Sequence, residues 1–552
     1  MTDEGLRTTD VDGVPVFWVP GRRSLNASLW FRTGMADETL PTSGWLHLLE
    51  HLALHDRDSI RTPVNGHVDL LFTSFHAEGE PAEVAGFLHD VCRWLSAPDF
   101  AQLEHERRVL RAEGATRTIG TVANHLLWRY GAQGPGLSGY EEFGLSTATP
   151  DGLRQLAAAT YTRGNAVLAL SGPPPAGLRL PLAAGPRQPA RRAVPCDQPA
   201  PAGFNDRPGT VAVSGTLPRS AAATTTLRAL ERALQRNLRD GAGMGYSAWS
   251  SYELMDADQA MATAGIDILP DALPTIVATT ASVLRRLRDV GPDPAELRDD
   301  IEQRIRLMTE EPAEHWLPFL TARDALLGQP IRSREALVDE LRAVTADDVR
   351  RAAHTLWTSL LLSADPGSAG DPQLHWLDVP PASAETVEGR TFRPLATPAG
   401  KARRTLTVGP TAARLEAAAS EVSARYDELA ALVAFPDGGR KLIRRDGYQV
   451  VIEPGLWRRG QDAVAMVDSA VPRRLHVVLP ERAEDEIPRT TVTRRQRLGA
   501  RLDHPVVVAV LTLAAAAWLF IATDSVLTSR VLPVAGIVAV VVGLATGDRW
   551  KR

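Results

Sequence analysis

Ser43-Gly-Trp-Leu-His-Leu-Leu-Glu-His-Leu-Ala-Leu-His55 is the stretch on which the reading of this chain turns. At its centre, His47-Leu48-Leu49-Glu50-His51 sets two histidines four positions apart. On a helix such residues share a face, so both imidazoles can reach one metal ion. Glu50 precedes the second histidine by one position, near enough to work on a water beside the metal without ligating it. Leu46, Leu49 and Leu52 supply an apolar stripe, and Thr42 or Ser43 can cap the helix start. The bland alternative is a helix with one packed and one solvated histidine, so the choice rests on the rest of the chain.

A metal site of this kind takes three protein ligands and leaves one position for water. Downstream, Asp99-Phe-Ala-Gln-Leu-Glu-His-Glu-Arg-Arg-Val-Leu-Arg-Ala-Glu-Gly114 reads as a helix that starts near Asp99 and stops at Gly114. Glu106 and Glu113 fall on one face of it, two turns apart. Alone, this is a charged surface helix laced with Glu/Arg pairs. Behind the histidine motif it reads as a ligand helix.

Histidine and glutamate in the order H-x-x-E-H, followed by two glutamates seven apart, resemble the pitrilysin-type zinc metallopeptidases. That family includes the mitochondrial processing peptidases and insulin-degrading enzyme. The resemblance implies one zinc per chain held by His47, His51 and Glu113, with Glu106 supporting the ligands and Glu50 as general base. Gly34-Met-Ala-Asp-Glu38 and Gly44-Trp-Leu-His47 resemble the family's approach to its zinc helix. Val64-Asn65-Gly66, with Thr73 and Phe75, resembles its active-site edge strand and implies substrate binding at Asn65, Thr73 and Phe75. Gly66 stands where the family usually has alanine, and the interval from His51 to Glu113 is shorter than is common. Further on, Leu238-Arg239-Asp240-Gly-Ala-Gly-Met-Gly-Tyr246-Ser247 resembles the family's Leu-Arg-Glu-Lys-x-Gly-Leu-Ala-Tyr. There the arginine and tyrosine reach the substrate backbone and the developing oxyanion, a role implied for Arg239 and Tyr246. Locally the same residues read as a helix end before a glycine turn into a strand.

The expected fold class is α+β, with two related domains forming half of a clamshell. Short alternating runs (Val14–Val19, Asn26–Thr33, Val167–Ser171) mix with helical ones such as Pro81–Ser96. Thr149-Pro-Asp-Gly-Leu-Arg-Gln-Leu-Ala-Ala-Ala-Thr-Tyr161 is echoed by Thr345-Ala-Asp-Asp-Val-Arg-Arg-Ala-Ala-His-Thr-Leu-Trp357, each before a short apolar strand. The expected division is a zinc-bearing domain over 1–171, a Pro-rich linker over 172–208 and a second family domain over 209–365. A linker over 366–402 then leads to a small β-rich module over 403–480, possible turns in it being Asp437-Gly438-Gly439 and Asp446-Gly447. That module is expected to resemble a pleckstrin-homology-like fold, with interaction or positioning as its default role. Since the family's chamber needs four such domains, the resemblance implies a homodimer, or a heterodimer with a related subunit.

The end of the chain differs. Pro505–Thr523 and Val531–Thr546 carry no charge and read as a transmembrane hairpin over 505–546. A basic juxtamembrane segment (481–504) precedes it and a basic tail (547–552) follows, so both ends face the cytoplasm. The expectation is a multi-pass cell-membrane protein with its peptidase part cytoplasmic. Over 552 residues the net charge is −5, with no basic patch to argue for nucleic acid. Two cysteines, Cys92 and Cys196, make no disulfide framework, and the N-terminus lacks a signal-peptide profile. Together these readings give a membrane-tethered zinc metalloendopeptidase acting on peptides or unfolded segments. The alternative is a catalytically silent relative serving as a peptide-binding or scaffold subunit.

Overall fold

The computed structural model describes residues 5–21, 24–57, 62–206, 209–240, 245–268, 273–365, 374–377, 386–395, 404–417 and 420–488, with backbone alone at 238–240, 245–246, 268, 273–275 and 420. Alternating sequence in the first domain yields β1 (Arg7–Val11), β2 (Val14–Trp18), β3 (Leu25–Phe31), β4 (Val64–Val68), β5 (Thr73–Gly79) and β6 (Ala166–Leu170). They form one sheet in the order β1-β2-β6-β3-β5-β4. Helices α1 (Trp45–Leu54), α2 (Pro81–Ser96), α3 (Leu103–Thr116) and α5 (Pro150–Thr160) accompany it, all four joining one apolar core with the sheet. The remaining helix of the domain, α4 (Thr121–Tyr130), goes elsewhere.

The second domain repeats the scheme. Its strands are β7 (Ala202–Asn205), β8 (Thr210–Pro218), β9 (Gly245–Leu254), β10 (Gln259–Ile268), β11 (Leu361–Ala364) and β12 (His375–Trp376), in the order β12-β7-β11-β8-β10-β9. Its helices are α6 (Ala221–Asp240), α7 (Leu273–Asp289), α8 (Pro294–Glu310), α9 (Leu317–Leu326), α10 (Arg334–Arg342) and α11 (Ala346–Thr358). Position for position, α6 is the counterpart of α1 and β9 the counterpart of β4. The repeated segments noted in sequence are α5 with β6 and α11 with β11.

The two sheets exchange covers. Helix α9 of the second domain lies on β2, β3 and β6 of the first. Leu70, Leu71, Phe72, Val167 and Ala169 there share a core with Ala322, Leu326 and Met261. In return α4 lies against β8 and β11. Its His125, fully buried, reaches Ser214 Oγ with Nδ1 (2.8 Å) and Ser363 Oγ with Nε2 (3.0 Å). Arg129 donates to the Ser359 carbonyl at 2.7 Å, and Asn124 to Asp206 at 2.6 Å.

Two expected linkers are partly structural. Leu178, Leu180 and Leu182 of 172–208 plug into the first core, and Ala202–Asn205 is a strand of the second sheet. A Pro-rich composition hid both, because three leucines at alternate positions need no regular element to be buried. Likewise β12 and the strand β13 (Arg390–Phe392) fall within 366–402.

The third domain adds β14 (Thr405–Val408), β15 (Ala412–Ala417) and β16 (Ser420–Arg425) to β13 as an antiparallel meander. A second meander, β17 (Leu429–Ala434), β18 (Arg440–Arg444) and β19 (Gln449–Ile452), turns at Asp437-Gly438-Gly439 and Asp446-Gly447, as read from sequence. Helix α12 (Gly460–Ala470) closes the shared core with Ala463, Val464 and Val467, and β20 (His476–Val478) adds in parallel to β17. The expected transmembrane hairpin, 505–546, and the flanking 489–504 and 547–552 lie outside the described residues. Among those described, no helix is long and apolar enough to cross a membrane.

Burial pulls the His125 imidazole down to about 3, with the Arg129 charge adding to the effect. Its folded pKa is thus below the ordinary value of about 6.5. The unfolded chain takes up a proton that the folded one refuses, so this contribution is complete above pH ~6.5 and is lost as pH falls toward 3. The limiting slope is about 1.4 kcal/mol per pH unit. Urea unfolding at pH 7 and pH 5 should show an acid loss that is smaller in His125→Gln; equal acid losses in both proteins would remove His125 as its source.

Candidate metal centre

The helix that carries the histidines begins without a side-chain cap of its own. Gly44 is its N-cap, in the left-handed region at φ 85°. Thr42 and Ser43, expected as caps, instead bond the turn before the helix. The first free N–H groups go to Glu38, whose two oxygens accept from Gly44 and Leu46 at 2.9 Å each. Burial pushes the Glu38 carboxyl up to about 8, outweighing those two bonds, and the charge of Glu142 adds to the rise.

On the core side α1 buries Leu46, Leu48, Leu49 and Leu52. The opposite side presents His47, Glu50 and His51, whose candidate ligand atoms all lie within 4.8 Å of one another. The two imidazoles meet edge to face, with centroids 4.9 Å apart. Each has its Nδ1 engaged by a carboxylate: His47 by Glu142 Oε1 at 2.8 Å, His51 by Glu106 Oε2 at 3.1 Å. Such bonds fix the tautomer with the hydrogen on Nδ1 and leave Nε2 with a lone pair for a metal. The other oxygen of Glu106 meets His55 Nδ1 at 2.6 Å.

Charge around the site is negative. For His47, burial works to lower the pKa, but the hydrogen bond and charge of Glu142, joined by Glu50 and Glu113, raise it on balance. Glu50 has only 6% of its side chain exposed. Burial raises its pKa, and the neighbouring histidines oppose the rise without cancelling it. Its carboxylate fits over Gly66, where a Cβ would lie 1.9 Å from Oε1. The glycine that departs from the usual alanine is thus what makes room for Glu50.

Glu113 sits exposed on α3, outside the tight cluster. It lines the same cavity as His47 and Glu142, about 460 Å³ in volume, together with Arg117. A smaller pocket of about 90 Å³ touches His47, Glu50, Gly66, His67 and Arg117. The donor set is suited in type to zinc: two imidazoles and the Glu50 carboxylate each offer a ligand atom, and Glu113 stands outside this group on the wall of the same cavity.

The expected substrate residues divide. Asn65 is exposed on β4, which pairs with β5 and ends the sheet among the described residues. Thr73 and Phe75 are corrections, since both are fully buried. The Thr73 hydroxyl donates to the Thr33 carbonyl at 2.9 Å. Phe75 packs edge to face on Phe31 and Tyr161 in the core. Strand alternation sends both side chains inward, so neither can touch a peptide on the strand edge. Arg239 closes α6 and Tyr246 opens β9, with their side chains outside the described residues. Sequence reasoning missed Glu142 and Arg117. Glu142 is separated from His47 by most of the domain and lies in no motif, so only the fold could reveal the pair.

No family model matches this sequence, and no curated protein is found similar to it. Solved structures are. A protease from Helicobacter pylori superposes with a TM-score of 0.55 at 15% identity, covering 65% of this chain and 99% of that one. The peptidase M16 inactive domain from Pseudomonas fluorescens gives 0.55 at 16%, covering 67% and 100%. The first half of the periplasmic protease PqqL from Escherichia coli gives 0.51 at 16%, covering 66% and 92%. Identities this low speak for the fold alone, and each covered share is about the length of the first two domains. Those two domains have the fold of the pitrilysin-type, M16, peptidases.

Proposed function

We propose that this chain is a zinc metalloendopeptidase that hydrolyses peptides or unfolded segments. The observation that carries the reading is the pair of carboxylate-held imidazoles, whose Nε2 atoms make no hydrogen bond among the described residues, with His51 Nε2 3.9 Å from the buried acid Glu50. His47 and His51 are the ligands on α1, and Glu113 is the third by resemblance. Zinc, when bound, supplies a Lewis acid that polarises a carbonyl and eases deprotonation of a water. Glu50, its pKa raised by burial, is suited to take that proton on its carboxylate and return it to the leaving amine. Glu106 and Glu142 keep the imidazoles in the ligating tautomer. A peptide would add to the open edge of β4 by backbone hydrogen bonds, with Asn65 at that edge.

Arg239 and Tyr246 are proposed to serve the oxyanion from a covering second domain. Arg239 ends α6, the counterpart of α1, and Tyr246 begins β9, the counterpart of β4, so two copies facing each other would bring a Tyr246 toward each zinc site. A match to the first half of a protease supports half a chamber per chain, hence a homodimer or a heterodimer with a related subunit. The apolar stretches at 505–546 are proposed to hold the enzyme to the cell membrane with its peptidase part cytoplasmic. One observation favours the second reading, a catalytically silent peptide-binding subunit: Glu113 stands exposed outside the cluster.

The test is zinc content and cleavage of a quenched peptide library. Glu50→Gln should keep its zinc and lose roughly 10²–10⁴-fold in kcat/KM. Cleavage that survives this change would exclude Glu50 as the base, and zinc without cleavage in the unmodified chain would favour the silent subunit. Gly66→Ala should also keep zinc and lower kcat/KM by no more than about 10-fold, because the new methyl meets only the Glu50 side chain, which can turn aside. A larger loss in this variant would show that Glu50 works only from its present rotamer.

A further inference from the structure

The segment 131–146, between α4 and α5, carries Glu142 and has little stiffness of its own. It holds five glycines and two single 3-10 turns, Gly134–Gly139 and Phe143–Ser146. Such a chain takes its position from what it touches. One side is fastened to the zinc helix and its approach. The Trp45 indole donates to the Gly144 carbonyl at 2.8 Å, and the Gly144 N–H donates to Ser43 Oγ at 3.3 Å.

The other side is fastened to the third domain. Ala132 N–H donates to the Arg445 carbonyl at 2.9 Å. At Gly131, φ 69°, a Cβ would strike that same carbonyl at 2.0 Å, so only glycine allows the approach. Ala132 and Leu137 share an apolar cluster with Val433 and Phe435 of β17 and its neighbour, Ile443 of β18 and Val477 of β20. Tyr140 and Phe143, which flank Glu142 on either side, pack against this cluster. Glu142 is therefore clamped between the third domain and α1. The Glu142 side chain packs on Gly44 and ends on His47 Nδ1.

We infer that Glu142 is a positioning residue for His47 and that the third domain holds it in place, making metal affinity a property of that domain's docking. The inference rests on the proposed zinc site. An ordinary surface ion pair would explain the 2.8 Å contact, but not a partner whose segment is anchored on both sides. A β-module between a metal centre and the apolar C-terminal stretches then has work beyond spacing: its seating sets the ring that ligates. Removing a carboxylate behind a ligating histidine typically costs 10–100-fold in metal affinity.

The experiment uses the full chain, with zinc affinity read by chelator competition and the His47 tautomer read by nitrogen-15 NMR of the metal-free protein. Glu142→Ala should weaken zinc binding 10–100-fold and lose the Nδ1–H tautomer at His47. Glu142→Gln, whose amide oxygen can still accept from Nδ1, should restore most of both. Leu137→Ala, a mild change at the docking face, should weaken zinc in the Glu142 chain and add nothing in the Glu142→Ala background. Full additivity of the two changes, or an unaltered His47 tautomer in Glu142→Ala, would overturn the inference. If zinc fails to bind the unmodified chain while Glu142 still governs the tautomer, the zinc reading falls and the positioning role of Glu142 stands.

Discussion

Two histidine–carboxylate hydrogen bonds govern this structure's chemistry. An imidazole alone on a helix can rotate and can carry its hydrogen on either nitrogen, and only one tautomer offers Nε2 to a metal. Here Glu106 settles the matter for His51 and Glu142 for His47. The two acids come from opposite sides of α1, one from α3 and one from the segment before α5. Each shares its histidine's position with a further tie: Glu106 also meets His55, and Glu142 packs on Gly44. The site's burial has a cost, visible in the raised pKa of Glu50 and Glu38, to which neighbouring acids add a smaller part. A dication bound here would favour the charged form of Glu50.

Around this centre the first two domains behave as one body. Each sheet has one face covered by its own helices and another reached by a helix of its neighbour, α9 in one direction and α4 in the other. The exchange buries His125 between two serines, a polar contact that apolar packing alone would not specify. It also leaves the same edge of each sheet, β4 and β9, at the end of its strand order. Repetition of one plan thus puts the histidine-bearing helix beside one edge and Arg239 and Tyr246 beside its equivalent.

Much of the fold was legible in the chain. Period-two runs gave the strands, the Thr149 and Thr345 segments announced the duplication, and the glycines after Asp437 and Asp446 marked the turns of the third domain. What escaped had local reasons. Ala202–Asn205 and His375–Trp376 are too short to show a period, and α12, with its small residues, is weakly patterned. At the site, His47, Glu50 and His51 declared themselves by spacing on one helix. Thr73 and Phe75 misled because a strand resemblance fixes backbone position, while strand parity decides which side chains face outward.

By itself the sequence determined the helix that sets two histidines on one face, the acid beside them, the two-domain plan and the turns, because each depends on residues within a few positions of one another. Only the tertiary structure decided that Glu38 caps α1, that Gly66 makes room for Glu50, that α4 and α9 trade sheets and that Glu142 meets His47. These are contacts between segments whose separation along the chain carries no periodic trace. Their physical basis is packing in three dimensions, where a glycine or a carboxylate matters only for what the fold sets against it.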